Sequence, residues 1–272
     1  MKQVEDLETL CELAMQMSER TTNRQVTAWQ IKEASLIFAK QVMTCISLLR
    51  LIPASTYFSP AKGHLPWDLS SVATLTRNII ETYLTLFYLA VENVDQDERA
   101  FRELYWHFQE DSERYEMMQT ALPGSQQISA LLARLEEARG KVKKSAFFKA
   151  LHAKRQAELM KARDCRIVGY SRLSEHAGIS RQYHRAEYKY CSNFAHTSAL
   201  SISQLDAFRA GAPEAATMLG HLAQLAANYM AIAIRDYATL FPDQKDSLGP
   251  IRETLEVCLH VLKWEHPTNP SN

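Results

Sequence analysis

Two helical stripes in this chain carry side chains that do chemistry. In LSSVATLTRNIIETYLTLFYLAV, Arg77 and Glu81 stand four residues apart on one helix face. The helix around them is apolar on nearly every side. A guanidinium and a carboxylate at such a position are costly to desolvate, and they persist there either as a structural ion pair or as the polar wall of a pocket inside a bundle. In AEYKYCSNFAHTSAL, the same step sets Tyr188, Ser192 and His196 in one row. A hydroxyl four residues before an imidazole suggests a nucleophile and its base. A triad also needs an orienting acid and an oxyanion hole, and neither is readable here. No G-x-S-x-G elbow occurs. The alternative is a hydrogen-bonded helix face, with Arg77, Glu81, Tyr188, Ser192 and His196 as candidates for a binding pocket.

A third pattern is Arg102-x-x-x-x-His107. Its spacing resembles that of the helical HEPN ribonucleases. By that likeness His107 would handle the ribose proton and Arg102 the phosphate. Nine histidines in the chain make roughly two such matches expected by composition alone, so the spacing discriminates little. Metal-binding patterns are absent: no Glu-x-x-His pair and no H-E-x-x-H. No phosphate-cradling glycine loop is present either, so no metal and no cofactor is expected. Leu173–Ser180 has the look of a helix-turn-helix bend, but the helix before it is short and the one after it turns apolar, so it is read as an ordinary capped turn.

Charge is even overall and uneven locally. Thirty-one bases meet 31 acids, so no global field drives the protein onto a polyanion. From Glu92 to Glu116, nine acids face three bases; from Arg139 to Arg166, ten bases face two acids. The basic segment is a candidate surface for a polyanion or a protein partner, with Lys143, Lys144, Lys154 and Arg155 as its representatives. It would equally suit docking on the acidic helix, or two solvated faces. Nucleic acid is the less favoured partner, and a protein partner or a second copy remains open.

The elements that must position these groups are helices. Glycine is scarce, at 8 of 272 residues, and the apolar residues recur at three- and four-residue steps. The expected fold is all-α, an irregular bundle of about eight to ten helices in a single domain over 1–272. Its strongest internal break is at 122–125, and its long loop at 53–68 holds Pro53, Pro60, Gly63 and Pro66. Helices are predicted near 7–17, 26–52, 68–91, 95–122, 125–138, 145–163, 172–176, 180–204, 213–240 and 251–264. The uncharged run Thr217–Ile234 reads as a buried core helix, not a membrane span, because His221, Gln224 and Asn228 interrupt it. Five scattered cysteines without a C-x-x-C pair point to a reducing compartment, so the cytoplasm is expected and no membrane.

The Arg77-x-x-x-Glu81 helix, its aromatic, leucine-rich continuation, and the Tyr188-x-x-x-Ser192-x-x-x-His196 helix about a hundred residues later together resemble a bacterial all-helical domain-of-unknown-function family, the one numbered fifty-six seventy-seven. The likeness runs over about Ile31–Leu205. It implies a helical fold with a polar pocket shared by two helices, and it implies no reaction. Three readings follow. The first is a binding or regulatory module built on that pocket. The second is a metal-independent HEPN-like ribonuclease, and the third is an interaction component of a phage-defence or toxin-like system.

Overall fold

The computed structural model describes residues 1–59, 67–196, 198–207 and 211–263. Among these the chain is all-α. Twelve α-helices follow one another: α1 (Lys2–Thr21), α2 (Trp29–Leu49), α3 (Leu69–Leu86), α4 (Gln96–Ala121), α5 (Gln126–Lys144), α6 (Ala146–Ala150), α7 (Ala153–Leu159), α8 (Tyr170–His176), α9 (Arg181–Ala195), α10 (Ala199–Ala207), α11 (Pro213–Leu240) and α12 (Arg252–Leu262). A π-helical turn, Phe87–Val91, prolongs α3, and a 3₁₀ stretch, Pro242–Ile251, joins α11 to α12.

Two of the predicted helices are each divided. The 145–163 segment breaks at Leu151 and His152, where the His152 ring accepts a hydrogen bond from Arg155 N at 3.3 Å and starts α7. The 180–204 segment breaks after Ala195. Ser198 Oγ accepts from Ser201 N at 3.2 Å and caps α10. In both places a side chain able to bond its own backbone competes with continuation of the helix. Two predicted starts hold: Asp68 caps α3 through Ser71 N at 2.9 Å, and Asp95 caps α4 through Glu98 N at 2.8 Å. The long loop predicted at 53–68 falls in part on residues 60–66, outside the described residues. Its described first part works structurally: Ser55 Oγ, Thr56 N and Thr56 Oγ1 all donate to Glu8 Oε1, at 2.7, 2.6 and 3.0 Å. That set of donors keeps a buried carboxylate satisfied.

The chain forms two compact units, residues 1–92 with 170–272, and residues 93–169. In the first, α11 is the central helix, packed on α1, α2, α3 and α12. Its run from Leu222 to Ile234 is buried almost throughout, which accounts for the absence of charge in that stretch. Its polar groups find partners: Asn228 Nδ2 donates to Tyr183 Oη at 2.9 Å, and Asp236 Oδ2 accepts from Tyr83 Oη at 2.9 Å. No described helix is long and apolar enough to cross a membrane.

In the second unit, α4 and α5 lie together with α6. Phe101, Tyr105 and Phe108 pack with Leu135, Val142, Phe148 and Leu159 in one apolar core. Tyr105 Oη donates to the Leu159 carbonyl at 3.1 Å. Helices α4 and α5 meet here: Arg134 reaches Asp111 at 2.6 Å, and the Arg139 guanidinium lies 5.9 Å from the centroid of Phe108.

A polar cluster between two helices

Helix α3 packs on both α2 and α11 with its apolar sides and turns its remaining side toward α9. Arg77 and Glu81 occupy that side. Ser180 caps α9 through Tyr183 N at 3.3 Å, and this fixes the phase in which Tyr188 and His196 come round to meet them.

The geometry is centred on Arg77. Its Nε donates to Glu81 Oε1 at 3.0 Å, its Nη2 to Tyr188 Oη at 3.0 Å, and its Nη1 to His196 Nε2 at 3.1 Å. Tyr188 Oη donates in turn to Glu81 Oε1 at 2.6 Å. The guanidinium carbon stands 5.2 Å from the centroid of the Tyr188 ring, within cation–π range. A guanidinium has only donors, so His196 Nε2 must accept, and the imidazole facing Arg77 is the neutral tautomer with its proton on Nδ1. Three of the five N–H groups of Arg77 are used inside the protein, leaving two on the Nη atoms. The side chains of Arg77 and Glu81 are 23% and 26% exposed, and His196 is exposed. The cluster therefore has an edge in water.

Its electrostatics follow from this setting. Burial works against the Arg77 charge, but the Tyr188 hydrogen bond and the Glu81 carboxylate outweigh it and hold the guanidinium pKa above its ordinary value. Burial, and the bond to Glu81, push the Tyr188 phenol upward, so it stays protonated. Beneath Tyr188 lies His184, its ring stacked at 5.5 Å and 25°. Burial pushes this imidazole down to about 4, and the neutral ring meets Tyr229 Oη at 3.1 Å through Nδ1. Tyr170 closes on the other ring contact of Tyr188 at 5.7 Å.

Of the five residues predicted for a pocket, four come together. Ser192 stands one turn from Tyr188 and His196, but its Oγ donates to the Tyr188 carbonyl of its own helix at 2.6 Å. The structure adds His184 and Tyr170 to these residues. The sequence signal for His184 is the same four-residue step, which run back one turn from Tyr188 lands on it.

The other candidates lie in the second unit. Arg102 is 2% exposed and holds Glu98 through Nε at 2.9 Å and through Nη2. His107 is 49% exposed and lies 3.6 Å from Glu110. It borders a shallow pocket of about 240 Å³ shared with Asp111, Arg134, Glu137 and Lys141. A five-residue step turns a helix by about 140°, so the two side chains leave α4 in different directions, one buried and one in water. Lys143, Lys144 and Lys154 are exposed. Arg155 is engaged with the fold: Nη1 pairs with Glu158 at 3.0 Å, and Nη2 donates to the Ile167 carbonyl. Among the described residues, no three His, Cys, Asp or Glu side chains gather as metal ligands.

Fold and cluster together define an all-helical protein with a charged, solvent-edged junction between two of its helices. The model of a family of unknown function, DUF5677, matches residues 34–210, and the chain belongs to that family. All five predicted pocket residues lie within the match. No curated protein and no solved structure matches the chain.

Proposed function

We propose that the protein is a binding or regulatory module whose ligand presents a carboxylate or phosphate to Arg77 beside His196. The observation that carries this reading is the convergence of Arg77, Glu81, Tyr188 and His196 at an edge open to water. A tether between α3 and α9 needs one or two hydrogen bonds. Here the guanidinium is held on three sides and over an aromatic ring, which fixes its orientation before any ligand arrives. Its two remaining N–H groups suit the paired oxygens of an oxyanion. The Nδ1 proton of His196 adds a donor. Glu81 Oε2, which has no partner among the described residues, adds an acceptor for a donor group on the same ligand.

Inorganic pyrophosphate and succinate are suitable probes of the two oxyanion classes. Calorimetric titration of the full chain should show saturable binding of one of them. Arg77→Lys should weaken it by about tenfold or more, because an ammonium cannot reproduce the planar fork. His196→Ala should weaken it by less. Equal affinity in the Arg77→Lys protein would remove the reading.

A further inference from the structure

A separate open cleft of about 610 Å³ lies in the first unit, where the end of α1 and the start of α2 face Phe241. Its volume is that of sites for small organic ligands. Ten of its thirteen lining residues, among them Arg24, Thr27, Lys32 and Phe241, lie outside the segment matched by the family model. The cleft therefore belongs mostly to the parts of this chain that flank the family domain.

Two of its lining hydroxyls, those of Thr21 and Ser35, are held from behind by Tyr237. Tyr237 is fully buried and stacked on Phe38 with centroids 3.9 Å apart. Its hydroxyl meets Thr21 Oγ1 at 2.6 Å and donates to Ser35 Oγ at 3.4 Å, so two hydroxyls of the lining are locked in place. At one side Arg24 is held over Phe241 at 5.7 Å and forked onto Asp243 at 2.9 and 2.7 Å. That pairing leaves Arg24 largely neutralised.

The opposite side is unfinished. The lining contains no acid. The Lys32 ammonium makes no hydrogen bond or ion pair among the described residues, and Leu36 on the next turn leaves 59% of its surface in water. Asn23, Gln25 and Thr27 also have side chains without a protein partner there. Lys32 sits in the opening turn of α2, which has no acidic residue to balance it. A cation at that end of a helix opposes the helix dipole, and an anion beside it reverses the sign.

We propose that this cleft binds a small organic anion, with the anionic group on Lys32, its apolar body against Leu36, and its polar edge over the hydroxyls of Thr21 and Ser35. Nothing in this assignment depends on the Arg77 cluster, with which the cleft shares no residue.

Phenyl phosphate is a fitting probe, with phenol and inorganic phosphate as its two halves. Calorimetric titration of the full chain should show saturable binding of phenyl phosphate, tighter than that of either half. Lys32→Gln should weaken it by about tenfold, and Leu36→Gln by about threefold. Arg77→Lys should leave it unchanged. Both cleft substitutions fall on exposed positions, and a thermal melt within a few degrees of the parent would confirm intact folding. No saturable binding of phenyl phosphate overturns the proposal, as does affinity unchanged by Lys32→Gln. Loss on Arg77→Lys with none on Lys32→Gln would overturn it too, by placing the anion at the other cluster.

Discussion

Arg77 and Arg102 begin from the same local arrangement and end in opposite states. Each has a glutamate four residues away on its own helix, Glu81 after one and Glu98 before the other, and each is bonded to it. Arg102 is buried, with 2% of its side chain exposed. Arg77 crosses to α9, collects Tyr188 and His196, and keeps 23% of its side chain in water. A four-residue step fixes the partner on the same helix. Whether such a pair is closed off or becomes the start of a site is decided by what packs against it, and α9 brings Arg77 a row of hydrogen-bonding groups.

The comparison is most easily broken at Arg102. Arg102→Ala leaves Glu98 without its buried partner and should cost about 3 kcal/mol or more, read as a shift of the urea midpoint. Arg102→Met, which fills the same space without the charge, should cost distinctly less. If both were silent, the buried pair would not hold its helix.

The next effect comes from beneath the Arg77 cluster. His184 has its pKa held at about 4 in the fold, against about 6.5 for an unfolded chain. Below pH 6.5 the unfolded chain takes up the proton first, so stability falls as pH drops from about 6.5 and levels off near 4. The loss is on the order of 3 kcal/mol. Urea unfolding of the parent and of His184→Phe across that range would show it: the parent should carry the pH slope and the variant should lose most of it. Identical slopes would contradict a buried neutral imidazole.

Arg77→Met should cost about 1 kcal/mol or less, because the pair it breaks is partly solvated. A loss as large as that of Arg102→Ala would make Arg77 a structural tether and erase the contrast. The smallest effect is expected for Lys143→Glu with Lys144→Glu, at the end of α5. These exposed cations favour the helix terminus by only a few tenths of a kcal/mol each, so a thermal melt should move by a few degrees at most.

Much of this contrast was legible in the sequence, and the part that was not has a physical cause. Three- and four-residue periodicity is a property of one helix, and it placed the helices, the buried charge-free α11 and the Arg77–Glu81 step. The row Tyr188, Ser192, His196 was visible for the same reason. That α3 and α9 face each other is a property of packing, which no spacing within either helix encodes. Ser192 illustrates a second limit. A serine hydroxyl inside a helix has the carbonyl one turn back always within reach, and this local bond holds it, not His196. Arg102 illustrates a third. The acids Asp95, Asp97 and Glu98 open α4 as cap and first turn, and from sequence they read as solvated charge, although Glu98 also neutralises a buried guanidinium. The breaks at His152 and Ser198 went unpredicted because neither contains proline or glycine, only a side chain that caps.

The most direct measurement of the central claim is the side-chain 15N–1H resonance of Arg77, assigned by its loss in Arg77→Lys and followed while pyrophosphate or succinate is added. A ligand that engages the cluster should move the Arg77 Nε–H signal saturably, with the calorimetric affinity, and should leave the Arg102 signal in place. An Arg77 signal that stays fixed through a saturating titration would contradict the account and leave the cluster as a bridge between α3 and α9.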